Sequence, residues 1–421
     1  MPRFDSLSAW LAWQETLHPE KIDPGLERVE AVAGRLGLLE PGYCVITVAG
    51  TNGKGSSVAL LDTILRAAGY RVGRYTSPHI RRYNERIQLD GNPVSDSDLC
   101  AAFEYVDRAR DGQTLSYFEF GTLAAVQLFH EWKPDIAVLE VGMGGRLDAV
   151  NVLAADVALV TSISIDHSAW LGNDRETIGR EKAGIFRSGH PAICSDPQPP
   201  ASLQQHARAL GARWYALGDA FSYTTGTDCW HWQGVRSHLA DLPLPALPGG
   251  HQLNNAAGVL MALELLGEQF PVNRTALADG LQAVTLEGRC QLVPGAVETV
   301  FDVAHNPDSA RQLGKLLAER PVRGQTRLVL GMLRDKDAAE FATALGPVVD
   351  HWYLTAPDTG RSLPVAELQA QVATLAAVES SGCYQDVATA LRQAQADAGD
   401  GDRVVVCGSF YTVAEALACH V

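Results

Sequence analysis

The sequence predicts an α/β protein with two domains, each built on a mostly parallel β-sheet covered by helices. Short apolar, β-branched runs alternate with helical patterns along most of the chain, which is typical of such sheets. The chain has 421 residues, and a single hydrophobic core seldom grows beyond about 250–300 residues. After Gly288 the alternation begins again. We therefore expect a first domain over 1–287 and a second, smaller domain over 288–421.

The predicted elements follow in a regular order. The second helix begins with Asp23 and Pro24, an N-cap residue followed by a proline in the first turn. In the first domain, strands are predicted at 43–49, 71–76, 135–140, 156–163 and 191–194, and helices at 7–17, 26–38, 54–68, 97–109, 119–131, 175–186, 200–211, 251–266 and 273–284. Irregular short strands are expected over 213–240. In the second domain, strands are predicted at 290–304, 326–332, 349–355 and 402–408, and helices at 307–319, 336–345, 364–376 and 384–396.

Composition narrows the class of protein. A formal net charge of −15 argues against binding to nucleic acid or to anionic membranes. The eight cysteines form no C-x-x-C motif, which is typical of a reducing compartment. We find no signal peptide and no run of about 20 apolar residues. These observations predict a cytoplasmic protein with small-molecule substrates. The absence of heptads favours a monomer.

The apolar strand 43–49 leads into residues 50–56, with the sequence Gly-Thr-Asn-Gly-Lys-Gly-Ser. Glycines let backbone N–H groups approach an anion, the following helix directs its positive end at it, and Lys54 adds a charge. The common P-loop pattern has glycine where this chain has Val48, and here Gly55 is inserted after the lysine. The segment predicts a variant phosphate-binding loop. A plain strand-to-helix turn is the alternative.

Polar residues follow other predicted strands, at the edge where ligands of parallel sheets collect. Glu140 ends an apolar strand and is placed to complete a magnesium site with Ser56, because hard cations take oxygen ligands. The alternative is an acid that merely ends a strand. Ser77 and His167 follow two further strands, and we expect His167 beside Glu140 on the neighbouring strand.

Other candidates are weaker when judged by spacing alone. Lys182 lies in a helix between apolar residues, where the simpler interpretation is a surface lysine. Arg289 lies at the expected domain boundary, and Asp302 and His305 follow a predicted strand. Asp302 could instead cap a helix. These residues place a cation, an acid and an imidazole at domain edges.

In this order, the motifs resemble the bifunctional dihydrofolate synthase/folylpolyglutamate synthases of the ATP-dependent Mur ligase family. The resemblance covers nearly the whole chain, and the segments that carry it are 49–56, 75–79, 117–119, 139–149, 166–167, 181–185, 302–307 and 408–410. It implies an N-terminal P-loop domain with the ATP and pterin sites, and a smaller Rossmann-like C-terminal domain that binds glutamate.

The resemblance also implies a role for each group of residues. ATP would contact Gly50, Thr51, Asn52, Gly53, Lys54, Gly55, Ser56, Asn255, Arg289 and Asp302. Two Mg²⁺ ions would be held by Ser56, Ser77, Glu140, His167 and a carbamylated Lys182. The resemblance also allows K⁺ as a further cofactor. The pterin would contact Asp23, Pro24, Gly25, Leu26, Ser116, Tyr117, Phe118, Glu119, Leu147, Asp148 and Ala149, and glutamate would meet His305 and Ser409. The implied catalytic residues are Lys54, Glu140, His167, Lys182, Arg289 and His305.

The chain departs from the family pattern at a few positions. Cys290 stands where a larger apolar residue is usual, and Val150 replaces a common threonine. Consecutive asparagines leave the adenine contact open between Asn255 and its neighbour Asn254. None of these departures affects an implied metal ligand.

The implied reaction is ATP-dependent addition of L-glutamate to 7,8-dihydropteroate and to reduced folates, through an acyl phosphate. A monofunctional folylpolyglutamate synthase is one alternative. A peptidoglycan-precursor ligase would carry a sugar-nucleotide domain before the loop, where only 49 residues precede Gly50. A nucleotide-dependent switch is a third alternative, although the sequence has no N-K-x-D guanine motif.

Overall fold

An eight-stranded β-sheet organises the first part of the chain. The computed structural model of the protein describes residues 3–20, 23–373 and 382–419. The chain divides into two compact units, Met1–Ala246 with Leu253–Val284, and Leu247–Gln252 with Thr285–Val421.

The main sheet of the first unit has the order β4-β3-β2-β5-β1-β6-β7-β8. Its strands are β1 (Cys44–Ala49), β2 (Val72–Tyr75), β3 (Ile87–Leu89), β4 (Asn92–Pro93), β5 (Ile136–Glu140), β6 (Val157–Val160), β7 (Pro191–Cys194) and β8 (Arg213–Ala216). The helices of this part are α1 (Leu7–Leu17), α2 (Glu27–Leu36), α3 (Lys54–Ala67), α4 (Asp96–Ala109), α5 (Tyr117–Trp132), α6 (Ser168–Leu171), α7 (Arg175–Ala183) and α8 (Ala201–Leu210). Six strands run parallel, and β3 and β4 add an antiparallel edge.

Strand β1 lies between β5 and β6 in the middle of the parallel sheet. All six of its residues are buried, as expected for an apolar, β-branched strand of a sheet that is covered on both faces. Val48 pairs with Glu140 on one side and with Leu159 on the other. The loop after β1 therefore begins at the centre of the carboxyl edge of the sheet.

A second, three-stranded antiparallel sheet completes the first unit. Its strands are β9 (Ser222–Thr225), β10 (Cys229–Gln233) and β11 (His238–Pro243), and helices α9 (His251–Leu266) and α10 (Arg274–Ala283) follow. Trp230 and Trp232 are buried on one face of β10. The indole N–H of Trp232 donates to the carbonyl of Ala257 on α9 at 3.2 Å.

The second unit has a six-stranded sheet of order β12-β13-β17-β14-β15-β16. Its strands are β12 (Gln291–Val293), β13 (Glu298–Phe301), β14 (Thr326–Leu330), β15 (His351–Leu354), β16 (Gly382–Cys383) and β17 (Arg403–Cys407). Its helices are α11 (Pro307–Glu319), α12 (Ala338–Leu345), α13 (Val365–Val372), α14 (Val387–Asp397) and α15 (Phe410–Cys419). All strands except β12 run parallel. Phe341 and Trp352 are among the fully buried residues of its core.

The structure has the predicted α/β architecture, with several differences in detail. The strand predicted at 290–304 is an antiparallel pair, because Pro294 and Gly295 open a turn between β12 and β13. Helices α6 and α15, strand β16 and the antiparallel edge strands were not predicted. Helix α2 begins at Glu27 with Leu26 as its N-cap, so the expected N-cap role of Asp23 is wrong. The last residues of the helix predicted at 364–376 lie outside the described residues.

Within the described ranges, no helix is both long enough and apolar enough to cross a bilayer.

Candidate active site

The glycine-rich loop after β1 is shaped by close contacts at its glycines. Gly53 has a left-handed φ of 89° and precedes α3, which begins at Lys54. A Cβ at Gly50 would lie 1.7 Å from Thr161 Oγ1, so no side chain fits there. The Lys54 Nζ donates to the carbonyl oxygens of Gly50 and Thr51 at 3.1 and 3.2 Å. The strand, turn and helix geometry of a phosphate-binding loop is thus present.

The segment that follows β6 fixes the same loop. Thr51 N donates to Ser162 O at 2.7 Å, and the Thr51 hydroxyl donates to Ser164 O at 3.0 Å. The hydroxyl of Thr161 donates to Asn52 O at 2.7 Å. The hydroxyl residues at 161, 162 and 164 were not among the predicted site residues. Their position directly after a buried strand could have predicted that they lie at the carboxyl edge of the sheet. They hold the loop in one conformation.

Glu140 and Ser77 meet at the carboxyl edge of the sheet. Glu140 ends β5 and is buried, and its Oε2 accepts the backbone N–H of Ser77 at 3.1 Å. Because β2 and β5 are adjacent parallel strands, the residues that follow them lie together. The structure therefore brings two of the predicted metal ligands into direct contact.

His167 follows β6, and the expectation that it lies on the strand next to Glu140 is wrong. Strand β1 separates β5 from β6. His167 has a left-handed φ of 52° and precedes α6, and its backbone N–H donates to Asp166 Oδ1 at 2.7 Å. The order of strands in a sheet depends on tertiary packing, which local patterns do not encode.

Lys182 is buried, so the simpler sequence interpretation as a surface residue is also wrong. Its side chain leaves α7 and its Nζ donates to Gly50 O at 2.8 Å. Burial, followed by the charge of Lys54, lowers the pKa of Lys182 from 10.5 to about 7. Both effects favour the neutral form of this amine relative to that of an exposed lysine.

Helix α7 is docked on the loop that follows β5. Arg146 N donates to Glu181 O at 2.8 Å, and the Asn151 amide donates to Arg146 O and Gly184 O, both at 3.1 Å. A Cβ at Gly184 would lie 2.4 Å from the Cβ of Arg146. The Arg187 guanidinium donates to Asn151 Oδ1 at 2.8 Å. These contacts fix the backbone on both sides of Lys182.

The implied pterin residues include an ordered hydrogen-bond network. Ser116 and Glu119 form a capping box at the start of α5. Arg28 donates to Glu119 Oε1 at 3.0 Å and to the carboxylate and carbonyl of Asp23. This network joins the start of α2 to the start of α5. Of the remaining residues in the first segment, Pro24 is exposed, Gly25 is buried, and Leu26 is the half-buried N-cap of α2.

The other implied pterin segments lie against each other. A Cβ at Gly142 would be 2.6 Å from the Phe118 ring, so the ring packs directly on the loop after β5. Asp148 accepts the backbone N–H groups of Met143 and Val150 at 2.8 and 3.0 Å. Burial raises the pKa of Asp148 to about 6. The side chain of Leu147 is half-buried, and that of Ala149 is buried.

Arg86 is a candidate that the sequence analysis missed. It is buried, and its guanidinium carbon lies 5.0 Å from the ring centre of Tyr83 and 5.6 Å from that of Tyr117. Its Nε donates to His79 Nδ1 at 2.9 Å. A buried cation therefore lies between the loop carrying Ser77 and the start of α5. An arginine in an edge segment gives no local signal of such burial.

Asn255 is the asparagine that faces the glycine-rich loop. A Cβ at Gly53 would lie 2.4 Å from Asn255 Oδ1. Asn254 points elsewhere, since its Oδ1 accepts the Tyr223 hydroxyl at 2.8 Å. Of the two asparagines, Asn255 is therefore the one next to the loop, and its contact with adenine stays a prediction.

In the second unit, the implied ligands Asp302, His305 and Ser409 follow the carboxyl ends of β13 and β17, whereas Arg289 precedes β12. Asp302 Oδ2 accepts the Cys290 N–H at 2.7 Å, and its Oδ1 accepts the Ala304 N–H at 2.7 Å. The N-cap of α11 is Asn306, so the alternative role of Asp302 as that helix cap is wrong. The carboxylate instead holds the backbone around β13.

The other implied residues of this unit are close to Phe410. The Arg289 guanidinium carbon lies 4.9 Å from its ring centre, and the His305 ring lies 6.1 Å away. Ser409 is buried, and its hydroxyl accepts the Thr412 N–H at 3.0 Å at the start of α15. A contact between Ser409 and glutamate stays a prediction.

Comparison with known proteins relates this arrangement to a family. Residues 48–263 match the Mur ligase middle domain, and residues 288–410 match the Mur ligase glutamate ligase domain. Over 411 residues the chain is 44% identical to the dihydrofolate synthase/folylpolyglutamate synthase of Escherichia coli, covering 98% of this chain and 94% of the relative. The chain belongs to the dihydrofolate synthase/folylpolyglutamate synthase family of Mur ligases.

Other members of this family support the assignment. The Haemophilus influenzae dihydrofolate synthase/folylpolyglutamate synthase is 38% identical over 432 residues, covering 97% of this chain and 96% of the relative. The structure of an E. coli family member in complex with DHPP and ADP has a TM-score of 0.94 at 43% identity, covering 98% of this chain and 97% of that one. A bifunctional folylpolyglutamate synthase/dihydrofolate synthase with Mn, AMPPNP and L-glutamate bound has a TM-score of 0.91 at 44% identity, covering 98% of each chain. The predictions of fold class, family and enzyme class are confirmed, and the protein is a ligase of this family.

Proposed function

We propose that this protein ligates L-glutamate to 7,8-dihydropteroate and to reduced folates with ATP, through an acyl-phosphate intermediate. One observation carries the proposal for the first unit. The buried Lys182 reaches the glycine-rich loop, at the sheet edge where Ser77 contacts Glu140. Phosphate-binding backbone, oxygen ligands and a modifiable amine thus share one edge of one sheet.

The nucleotide is assigned to the loop Gly50–Ser56, with Asn255 as the adenine contact. The loop supplies converging N–H groups and a helix N-terminus, which suit the phosphates of ATP. The contact between Gly53 and Asn255 supports this choice of asparagine. In the second unit, we assign Arg289 and Asp302 to the same nucleotide.

The donor set at the carboxyl edge of the sheet fits divalent magnesium. Glu140 supplies a carboxylate, Ser56 and Ser77 supply hydroxyls, and His167 supplies an imidazole. Hard cations prefer oxygen ligands such as this carboxylate and these hydroxyls. When bound, the two ions would neutralise the charge that develops on the transferred phosphoryl group. We also propose that the protein binds a K⁺ ion.

Lys182 would become a metal ligand after carbamylation. The neutral amine attacks the carbon of CO₂, an N–C bond forms, and a proton is released, which leaves an anionic carbamate. The lowered pKa of Lys182, with burial as its largest cause, makes the neutral amine available near pH 7. The modification would also place a negative charge beside the Lys54 cation.

The remaining residues would position the two organic substrates. Residues 1–287 would hold the pterin through the segments that contain Asp23, Ser116–Glu119 and Leu147–Ala149. Residues 288–421 would hold glutamate near His305. The substrate carboxylate attacks the γ-phosphorus of ATP, ADP leaves, and Lys54 and Arg289 offset negative charge. The neutral glutamate amine then attacks the acyl carbon, phosphate leaves, and the nitrogen loses one proton to give the amide. We further propose a cytoplasmic monomer whose partners are these small molecules, with no nucleic acid or membrane partner.

A phosphate-release assay tests the proposal. ATP- and glutamate-dependent release is measured in parallel with 7,8-dihydropteroate and with tetrahydrofolate. Activity with both pteridine substrates is expected, and activity with tetrahydrofolate alone would identify a monofunctional folylpolyglutamate synthase. Lys54→Ala and Glu140→Ala should abolish release while their circular dichroism and melting curves stay close to those of the parent. Near-normal turnover in either variant would contradict the residue assignment.

A further inference from the structure

The outer face of the three-stranded sheet carries a group of metal-ligating side chains that the proposed reaction does not use. Side chains of a strand alternate between its faces. On β10, Trp230 and Trp232 are buried, whereas Cys229 and His231 are half-buried on the opposite face. The thiol and the imidazole are therefore two residues apart on the accessible side of the strand.

An irregularity in the neighbouring strand turns a carboxylate toward them. The register between β10 and β11 shifts between Trp230 and Trp232. Within β11, Asp241 has a left-handed φ of 50°, and the Arg274 guanidinium on α10 donates to the carbonyls of Ala240 and Asp241. The Asp241 Oδ1 lies 3.8 Å from Cys229 Sγ and 3.8 Å from His231 Nδ1.

These separations match those of ligands around one metal ion. One ligand atom from each residue can be chosen so that all three lie within 4.8 Å of one another. Zinc bonds of about 2.0–2.3 Å in tetrahedral geometry place ligand atoms roughly 3–4 Å apart. We propose that Cys229, His231 and Asp241 form a binding site for a divalent transition metal of the Zn²⁺ type, with solvent as the fourth ligand.

The chemistry of the three side chains selects the metal. The thiolate decides the choice, because thiolate ligands suit Zn²⁺ and related ions, whereas Mg²⁺ prefers sites built mainly of oxygen ligands. The Asp241 N–H donates to His231 Nδ1 at 3.0 Å, so ligation through Nδ1 replaces this one exposed hydrogen bond. Because none of the three residues belongs to the proposed active site, the inference stands independently of the proposed function.

Binding of Co²⁺ to the full-length protein, kept reduced and saturated with Mg²⁺, tests the inference. We expect one equivalent of Co²⁺ to produce the thiolate-to-cobalt charge-transfer band, and Zn²⁺ to displace it. Cys229→Ser should remove the band, and His231→Gln and Asp241→Asn should weaken binding by roughly tenfold or more. Cys100→Ser is the matched control, since it alters another half-buried thiol of the first unit, and it should leave the band unchanged.

Two results would overturn the inference. The first is a charge-transfer band that persists in Cys229→Ser, which would assign the metal to other thiols such as the exposed Cys383 and Cys419. The second is an absence of Co²⁺ binding in parent protein that is shown to be folded and reduced. Ligase turnover in Cys229→Ser should equal that of the parent, so a failure of the ligase proposal would be seen separately.

Discussion

The Nζ of Lys182 lies 2.8 Å from the carbonyl oxygen of Gly50, which also accepts a hydrogen bond from Lys54. Two lysine amines thus share one acceptor at the start of the glycine-rich loop. Two full positive charges on amines that share one acceptor repel each other where little water screens them. The arrangement favours a neutral or chemically modified Lys182.

Lys182→Ala should lower kcat by about 100-fold or more, because the variant lacks the group that would hold a metal near the transferred phosphate. Acetate or propionate should restore part of the activity by occupying the position of the carbamate. Parent protein in ¹³C-bicarbonate should show a carbamate carbon signal that Lys182→Ala lacks. Lys315→Ala, which removes an exposed lysine, is the control and should retain both signal and turnover. A parent protein with full activity and no carbamate signal would exclude the modification.

Gly53→Ala should weaken ATP binding by roughly tenfold or more. The new Cβ would lie 2.4 Å from Asn255 Oδ1, so the asparagine or the loop must move. Gly69→Ala is a matched control, because Gly69 has a similar φ of 93° and no atom within 4 Å of the added Cβ. It should lose about 1 kcal/mol of stability with an unchanged KM for ATP. Equal effects of both variants on KM would show that backbone strain, not the contact with Asn255, is responsible.

Asn255→Ala should raise the KM for ATP, whereas Asn254→Ala should leave it unchanged. Asn255 contacts the glycine-rich loop, and Asn254 instead bonds the Tyr223 hydroxyl. Loss of that bond should cost Asn254→Ala about 1 kcal/mol of unfolding free energy. Steady-state kinetics with both variants decides the assignment. A higher KM in Asn254→Ala alone would reverse it.

The folding stability of the parent should fall relative to Asp148→Asn as pH rises from about 4 to about 6. Burial raises the pKa of Asp148 from 3.8 to about 6, so in this window the folded state binds more protons than the unfolded state. By linkage, stability decreases with rising pH, by about 3 kcal/mol in total for this group. Urea unfolding of both proteins at several pH values measures the difference. A difference independent of pH would show that Asp148 titrates normally.

Cys290→Ala should raise the KM for ATP about fivefold with kcat nearly unchanged. The Cys290 thiol lies 3.1 Å from Asp302 Oδ2, and one hydrogen bond contributes about 1 kcal/mol. The variant leaves the carboxylate with its backbone donors but less firmly positioned. Cys290→Ser restores a donor and should recover the parent KM. If the KM for ATP is as high in Cys290→Ser as in Cys290→Ala, the cause is altered packing and not a lost hydrogen bond.

Sequence patterns predicted the parts of the site that depend on local structure. The neighbouring apolar residues predicted the strand that leads into Gly50. They also predicted that Glu140 ends a buried strand. The separation of His167 from Glu140 by β1 depends on strand order, which only packing decides. Spacing alone predicted an exposed Lys182, and this was wrong because its burial also depends on tertiary packing. Only the family resemblance suggested that Lys182 is a metal ligand.

Other features arise from contacts between segments far apart in sequence. Arg86 stacks on Tyr117, and Arg28 bonds Glu119, across separations that no periodicity reveals. The convergence of Asp241 on Cys229 depends on a register shift in a short, irregular sheet. The capping roles of Ser116 and Glu119 were detectable, since serine followed three residues later by glutamate is a known helix-start signal.

The backbone contact between Gly184 and Arg146 has a consequence for how relatives of this protein diverge. A Cβ at Gly184 would be 2.4 Å from the Cβ of Arg146, so the two segments pack too closely to admit a side chain at position 184. Replacing the loop after β5 by that of a distant homologue should therefore displace helix α7, which carries Lys182, unless α7 is exchanged with it. In chimeric enzymes, the loop after β5 and helix α7 should be compatible only when both come from the same parent protein.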